Sequence, residues 1–305
     1  MSNGRLALTF DDGYVEDYED IYPVLAERDV PASLAIVPEW LGEEGHLTVE
    51  QLHELVGEGW EVMAHGRRHR YMQAHGLAAD AAAGDERLVL DSDHVFPDED
   101  HGLYPGDEFE VTDGFRTETV TLAEKGILDG DEAGAGTDEA AGDPFVRVDG
   151  PLADDFDADE AVFRPTRAQI RDETEGSKGE LGGLGFEPTT FALPYDAGDA
   201  RVWRAVADEF DALADAAVRS LPNPPNASPL DLQRYYLETD AMRTVEIEAY
   251  LDCVAERGGL GVLAGHTAWE TVPPERVAAV VDAARERGIE VTTVGEAVGA
   301  GADAA

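Results

Sequence analysis

Two adjacent carboxylates, Asp11 and Asp12, end an apolar run in the segment RLALTFDDGY. Neighbouring buried carboxylates repel each other, so both stay ionised only where a cation or strong hydrogen bonds compensate. A second apolar run ends just before His65, and His69 follows four residues later. Histidines at this spacing project from one face of a helical turn, near enough to share an ion. Asp12 and the two histidines therefore form a candidate metal set.

This candidate set suits hydrolytic chemistry. Three protein ligands leave positions open for water and substrate, and the donor types favour Zn²⁺ among divalent ions. Amide carbonyls are poor electrophiles, so their hydrolysis needs a polarising cation and a water whose pKa falls towards about 7. The reaction also needs one group to accept a proton and another to deliver one. Asp11 can accept the water proton, and His266, which follows a separate strand, can face the departing nitrogen.

Hydrophobic periodicity predicts the elements that position these side chains. Apolar runs rich in β-branched residues recur along the chain, most of them separated by segments with helical spacing. The runs are LALTF, ASLAIV, WEVMA, TTFAL, DAAV, LGVLAG and IEVTTV. Strands that alternate with helices predict a parallel sheet, and about seven such units suit a closed barrel. A doubly wound open sheet is the alternative, and in both the carboxyl ends of the strands bind ligands.

Three helices have marked ends. Thr48 with Gln51 and Thr166 with Gln169 each fit a capping box. The segment PPERVAAVVDAARERG begins with proline and ends at glycine, which is typical of a complete helix.

Residues 76–165 do not follow this alternation of predicted strands and helices. Short alternating strands and turn dipeptides predict a small antiparallel β insertion here, between barrel segments 1–75 and 166–305. The interval GDEAGAGTDEAAGD inside it is interpreted as a solvated acidic loop. Its acids lack the spacing of an EF-hand calcium loop.

The net charge of the chain limits the kinds of partner that it can bind. The chain of 305 residues carries 66 acidic and 22 basic residues, a net charge of −44. Such a chain should repel nucleic acid and anionic membranes. Its self-repulsion destabilises the compact state in dilute buffer. At molar salt the Debye length shrinks to about 3 Å, and this repulsion largely disappears. The composition resembles that of halophile proteins, and 43% hydrophobic content argues against disorder.

The N-terminus enters a strand pattern without a basic and apolar leader, and the sequence contains no run of 18 apolar residues. We therefore expect a cytoplasmic protein without membrane insertion. The oligomeric state stays open.

Four ordered motifs resemble those of the polysaccharide deacetylase (NodB-homology) family, in carbohydrate esterase family 4. They are TFDDG, HGRRH, FALPYDAGD and LAGH. The resemblance covers about residues 5–75 and 166–298. It implies a distorted (β/α)7 barrel and a metal-dependent hydrolase.

The resemblance also implies roles for single residues. Asp12, His65 and His69 match the metal ligands of the family. Asp11 matches its catalytic base, and His266 matches the general acid that protonates the leaving amine.

The FALPY motif implies two further contacts. The backbone N–H of Tyr195 matches the group that helps to hold the oxyanion, and Pro194 beside it is a candidate substrate contact. Trp269, three residues after the LAGH motif, is a candidate for stacking on a sugar ring, with core packing as the alternative.

Positive charge is concentrated beside the metal histidines, at Arg67, Arg68 and Arg70. Arg67 in particular is a candidate for binding an anionic sugar or phosphate group. The alternative is that these arginines pair with the abundant carboxylates.

Three positions depart from the family pattern. Gly66 replaces a common Ser or Thr, so one loop-stabilising hydrogen bond is missing. Ala192 replaces an arginine that holds the catalytic Asp in many members, and Asp196 replaces a glycine. We hypothesise that Arg234 supplies the missing charge to Asp11 from another strand.

The leading functional hypothesis is removal of an acetyl group from the amide of an amino sugar or glycan precursor, which makes that acetylated compound the expected partner. Two alternatives remain: hydrolysis of a small ureide-like amide, and a noncatalytic carbohydrate-binding barrel.

Overall fold

A computed structural model describes residues 4–92, 94–95, 102–128, 142–216 and 221–299. Most of the predicted acidic loop, GDEAGAGTDEAAGD, lies outside these residues.

The chain divides into two compact units. The first comprises Met1–Arg67, Thr174–Asp196 and Ala205–Ala305, and the second comprises Arg68–Glu173 and Ala197–Arg204. The predicted insertion, residues 76–165, falls inside the second unit.

The described strands, in chain order, are β1 (Arg5–Asp12), β2 (Ser33–Ile36), β3 (Glu61–Ala64), β4 (His75–Leu77), β5 (Arg87–Asp91), β6 (Glu108–Thr112), β7 (Thr117–Ile127), β8 (Pro144–Val148), β9 (Val162–Pro165), β10 (Thr190–Ala192), β11 (Ala212–Ala216), β12 (Leu232–Tyr236), β13 (Leu260–Gly265) and β14 (Glu290–Thr292). The described α-helices are α1 (Tyr22–Ala26), α2 (Val49–Gly57), α3 (Arg167–Arg171), α4 (Ser177–Gly183), α5 (Ala200–Glu209), α6 (Thr244–Arg257), α7 (Pro274–Glu286) and α8 (Val294–Val298).

The first unit is a parallel barrel. Its strands follow one another in the order β1, β2, β3, β10, β11, β12 and β13, and pairing of β13 with β1 closes the ring. β1 is buried along nearly its whole length, as expected of a parallel strand covered on both faces. Short β14 pairs with the first residues of β1, whereas β2 pairs with its last residues, which distorts the barrel. The predicted α/β barrel is confirmed.

Two strands differ from the predicted runs. The run DAAV was expected as a strand, but β11 already begins at Ala212, and the last two residues of that run lie outside the described part of the chain. β12 is absent from the predicted runs, because its sequence LQRYY places a glutamine and an arginine among aromatic residues. A hydrophobic pattern cannot detect a barrel strand whose buried side chain is Arg234.

Helix ends agree with the sequence signals. The backbone N–H of Gln51 donates to the Thr48 hydroxyl at 3.2 Å, and that of Gln169 donates to Thr166 at 3.3 Å, so both capping boxes are confirmed. The predicted proline-initiated helix is α7.

A carboxylate joins elements of the barrel at the amino end of β3. Glu61 accepts hydrogen bonds from the hydroxyls of Ser33 and Thr190, each at 2.7 Å, and from the backbone N–H of Gly295 at 2.9 Å. It therefore ties β2 and β10 to α8, at the end of β3 away from its carboxyl terminus.

The second unit contains a closed antiparallel barrel in the order β4, β5, β8, β7, β6 and β9. Its interior is aromatic: Phe109 and Phe163 are buried and stack with ring centroids 4.5 Å apart. The predicted antiparallel β structure is confirmed. Within the described residues, no helix combines the length and apolar character that a membrane span requires.

Candidate metal centre and active site

The parallel register brings the polar ends of the strands together. Phe10 pairs with Gly265, so Asp11 and His266 follow side by side at the ends of β1 and β13. Asp12 pairs with Ile36 of β2, which pairs in turn with the last residue of β3, directly before His65. The carboxyl ends of the strands thus carry the chemistry, as the barrel architecture predicts.

Asp12, His65 and His69 are buried, and each offers one ligand atom such that the three atoms lie within 4.8 Å of one another. The Nδ1–H of His65 donates to the backbone carbonyl of Ala192 at 2.9 Å, which directs its Nε2 towards Asp12 Oδ1, 3.5 Å away. Such a hydrogen bond fixes the tautomer and ring orientation of metal-binding histidines. The donor set and its compactness fit one divalent cation.

Non-glycine residues with a left-handed backbone conformation cluster at this site. Among the described residues, the non-glycine residues with positive φ are Asp12, Asp29, His69, Tyr195 and Asp196. All but Asp29 belong to the site or to its predicted motifs. Each such residue costs about 1–3 kcal/mol and persists only where its surroundings impose it.

Asp11 is bound by the arginine that sequence analysis proposed. Arg234 Nη1 donates to both carboxylate oxygens of Asp11, at 2.7 and 3.0 Å, and both side chains are buried. Burial alone would raise the pKa of Asp11, but the charges of Arg234, His65 and His266 outweigh it and lower that pKa below its usual value. The contact that the Arg234 hypothesis requires is present.

A second carboxylate holds the other side of the same guanidinium. Arg234 Nη2 donates to Asp196 Oδ1 at 3.0 Å, and the Tyr236 hydroxyl donates to Asp196 Oδ2. Asp196 follows Tyr195 in a left-handed turn, where φ is 51° and 57° respectively. The aspartate that replaces the usual glycine therefore pairs with the displaced arginine.

His266 is oriented by a residue that sequence analysis missed. Its Nδ1–H donates to Glu238 Oε1 at 2.9 Å, and its Nε2 lies 4.0 Å from Asp12 Oδ2. Burial lowers the pKa of His266, but the hydrogen bond to Glu238 and the charges of Asp11 and Asp12 raise it to about 9. The available sequence signal was an acidic side chain two residues after the end of β12.

Two further residues beside the site were also missed. The Tyr14 hydroxyl hydrogen-bonds Asp12. Asp17 is fully buried and accepts a hydrogen bond from the Thr267 hydroxyl at 2.8 Å, next to His266. Burial raises the pKa of Asp17 well above its usual value. Only the acidic stretch after the DDG motif hinted at them.

The three predicted substrate contacts, Trp269, Pro194 and Arg67, differ in exposure and in the residues they contact. Trp269 is 50% exposed and stacks on His266, with ring centroids 4.1 Å apart. Pro194 is buried in the short turn before Tyr195. Arg67 pairs with two carboxylates, Glu180 at 2.8 Å and Glu39 at 3.3 Å.

The other two arginines of the cluster also meet carboxylates. Arg70 is buried against Glu173 at 2.6 Å and Asp107 at 2.7 Å, and Arg68 lies over the Tyr104 ring. These pairs favour the structural alternative for the arginine cluster.

Fold and site together define a parallel α/β barrel with a candidate carboxylate–imidazole metal site at its strand ends. Residues 1–86 match the family model for polysaccharide deacetylase. The chain is also 36% identical over 70 residues to YxkH of Bacillus subtilis (strain 168), whose name describes a candidate polysaccharide deacetylase. That match spans 23% of this chain and 24% of the relative, about a quarter of its length. The resemblance to NodB-homology polysaccharide deacetylases that the motifs indicated is confirmed over residues 1–86.

Solved structures of carbohydrate esterase family 4 resemble the chain only remotely. A family 4 acetyl xylan esterase from Clostridium thermocellum, in complex with a cobalt ion, is 14% identical with a TM-score of 0.48, and the match covers 96% of this chain and 90% of that one. A family pseudoenzyme from Bacillus anthracis is 11% identical with a TM-score of 0.48, and the match covers 97% of this chain and 66% of that one. Similarity at this level says nothing about activity.

Proposed function

We propose that the protein is a metal-dependent deacetylase that hydrolyses the N-acetyl amide of an amino sugar or glycan precursor. The observation that carries the proposal is the convergence of Asp12, His65 and His69, whose ligand atoms lie within 4.8 Å of one another. An ionised base and a protonated histidine flank this set.

Asp12, His65 and His69 would hold the cation, with Zn²⁺ favoured by two imidazoles and one carboxylate. When bound, a divalent cation supplies a Lewis acid that polarises a carbonyl and lowers the pKa of a water molecule towards about 7.

Asp11 acts as the general base in this proposal. Arg234 keeps its carboxylate ionised and fixes its orientation through two hydrogen bonds. An ionised carboxylate in that position can accept a proton from the attacking water. The backbone N–H of Tyr195, in its left-handed turn, is assigned to the oxyanion that then forms.

His266 acts as the general acid. Its raised pKa, about 9, keeps the ring protonated at neutral pH. Glu238 holds Nδ1–H, so the proton on Nε2 is the one available for the leaving group. An amine leaves readily only after protonation, whereas an alcohol needs this less, and a protonated histidine therefore supports an amide substrate.

A sugar substrate is supported by Trp269, which is half exposed beside His266 and can offer an aromatic face to a pyranose ring. The name of the Bacillus subtilis relative, which describes a candidate polysaccharide deacetylase, also supports a glycan. The net charge of −44 supports a working medium of molar salt.

The test combines metal analysis with acetate release. Protein purified at high salt is analysed for bound metal and incubated with a panel of acetamido sugars and ureides. We expect about one divalent ion per chain and acetate from one sugar class. Asp12→Asn should lose metal, whereas Asp11→Asn should keep it and release acetate about 10²- to 10⁴-fold more slowly. Asp252→Asn, which removes a surface partner of Arg287, is the control and should match the wild type.

Two results would overturn the proposal. Turnover of ureides without any acetate from sugars would assign the protein to small amides. Sugar binding without bound metal or acetate release would make it a noncatalytic barrel.

A further inference from the structure

The backbone of His69 is held in an unfavourable conformation. Its φ is 56°, in the left-handed region that residues with a side chain rarely adopt. Such a conformation persists only where neighbouring contacts over-determine it. The contacts that fix the residues on either side of His69 therefore determine the position of its imidazole.

One carboxylate makes these contacts. Glu173 has no solvent exposure, and it accepts hydrogen bonds from the backbone N–H groups of Arg68 at 3.1 Å and Arg70 at 3.2 Å. The two donors are the immediate neighbours of His69 on either side. The Tyr104 hydroxyl donates to the Arg68 carbonyl and so holds the peptide that joins Arg68 to His69.

The charge of Glu173 is compensated by the adjacent guanidinium of Arg70. The Arg70 guanidinium donates to its Oε1 at 2.6 Å. Two other carboxylates, Asp107 and Asp172, also pair with this guanidinium, at 2.7 and 2.8 Å. Neutralising Arg70 therefore does not require Glu173, whereas the Glu173 carboxylate joins the two N–H groups that flank His69.

We propose that Glu173 is a positioning residue for the metal ligand His69, acting through the backbone on both sides of it. The inference rests on the proposed function, because it takes His69 as a ligand. Mutation of residues that orient metal ligands typically costs about 10- to 100-fold in metal affinity.

The test uses the metal alone as the probe. Metal-free wild-type protein, Glu173→Gln and Asp172→Asn are each titrated with Zn²⁺ and with Co²⁺, whose visible spectrum reports ligand geometry. Glu173→Gln should bind both ions about 10- to 100-fold more weakly and should change the Co²⁺ spectrum. Asp172→Asn is the matched control, because it removes a neighbouring carboxylate from the same arginine without touching the backbone of residues 68–70. It should keep the wild-type dissociation constant and spectrum.

Equal affinities and spectra for Glu173→Gln and the wild type would overturn the inference, as would an equal loss in Asp172→Asn. If Glu173→Gln fails to fold, Glu173→Asp takes its place, since it keeps the charge for Arg70 but is too short to reach both N–H groups. Wild-type affinity in Glu173→Asp would then refute the positioning role. A wild-type protein that binds neither ion would instead reject the proposed function, and the role of Glu173 with it.

Discussion

Replacing Arg234 by methionine tests how the site holds its base. The guanidinium is fully buried between Asp11 and Asp196, and it contacts them at 2.7 and 3.0 Å. Methionine replaces the aliphatic stem of arginine but carries no guanidinium, so the change leaves both carboxylates without their shared partner. We expect a large loss of both stability and activity.

The magnitude follows from the burial of the pair. Removal of one partner from a buried ion pair costs about 3–5 kcal/mol, because the remaining charge has no compensation. Two carboxylates lose their partner here, so Arg234→Met should lower the free energy of unfolding by an amount near the upper end of that range. Acetate release should fall by about 10²- to 10⁴-fold, the usual contribution of a positioned general base.

A double variant separates charge from packing. Arg234→Met combined with Asp196→Asn removes one of the two unpaired charges, and asparagine tolerates the left-handed backbone at that position. The double variant should therefore be more stable than the two single effects predict, with a coupling energy of about 0.5–3 kcal/mol. Urea unfolding at high salt measures stability, and acetate release measures activity.

Arg287→Met is the control, because Arg287 pairs with Asp252 at the surface. Such pairs contribute about 0–1 kcal/mol. If Arg234→Met loses no more stability and activity than Arg287→Met, Arg234 does not hold the base and the assignment of its role is wrong.

Three other predictions concern the rest of the chain. The melting temperature should rise between about 0.1 M and about 1 M KCl, where the Debye length falls from about 10 Å to about 3 Å; an unchanged value would reject the halophilic interpretation. Burial and the charge of His94 lower the pKa of His75 from 6.5 to about 3. The unfolded state therefore binds more protons than the folded state between pH 6.5 and about pH 3, and stability falls as the pH drops through this window. His75→Phe removes this titration and should reduce the slope of the free energy of unfolding against pH by up to about 1.4 kcal/mol per pH unit. Glu61→Gln should cost about 1–3 kcal/mol in urea unfolding and leave acetate release unchanged, because its hydrogen bonds lie at the amino end of β3; lost activity at full stability would contradict this.

The barrel and its metal set could be predicted because their signals are local. A parallel strand buried on both faces is a continuous apolar run, and Asp12 and His65 lie at the ends of two such runs. His69 follows four residues later, but in a loop with left-handed backbone and not on the expected helical turn. The helix caps depend on residues three positions apart, as at Thr48 and Gln51. Each of these signals is complete within a few residues.

The partners of His266 and Asp11, the proposed acid and base, could not be predicted in the same way. Glu238 precedes His266 by 28 residues, and Arg234 follows Asp11 by 223. Their contacts exist only once β12 lies next to β13 and β13 next to β1. Sequence spacing holds no information on that closure. The hypothesis for Arg234 came instead from a missing charge at Ala192, whereas the acidic side chain just after β12 could not identify Glu238 because β12 itself is absent from the predicted runs.

The displaced arginine also explains why the site tolerates an aspartate after Tyr195. A guanidinium has five N–H donors, and Asp11 occupies only one edge of the one on Arg234. A glycine at position 196 would leave the other edge buried without this carboxylate. Asp196 satisfies that edge, and the same ion pair restrains the left-handed turn that carries the Tyr195 N–H. Moving the arginine to β12 and placing a carboxylate at position 196 are therefore best understood as one coupled change, which links Asp11, the proposed base, to the turn at Tyr195 through a single side chain.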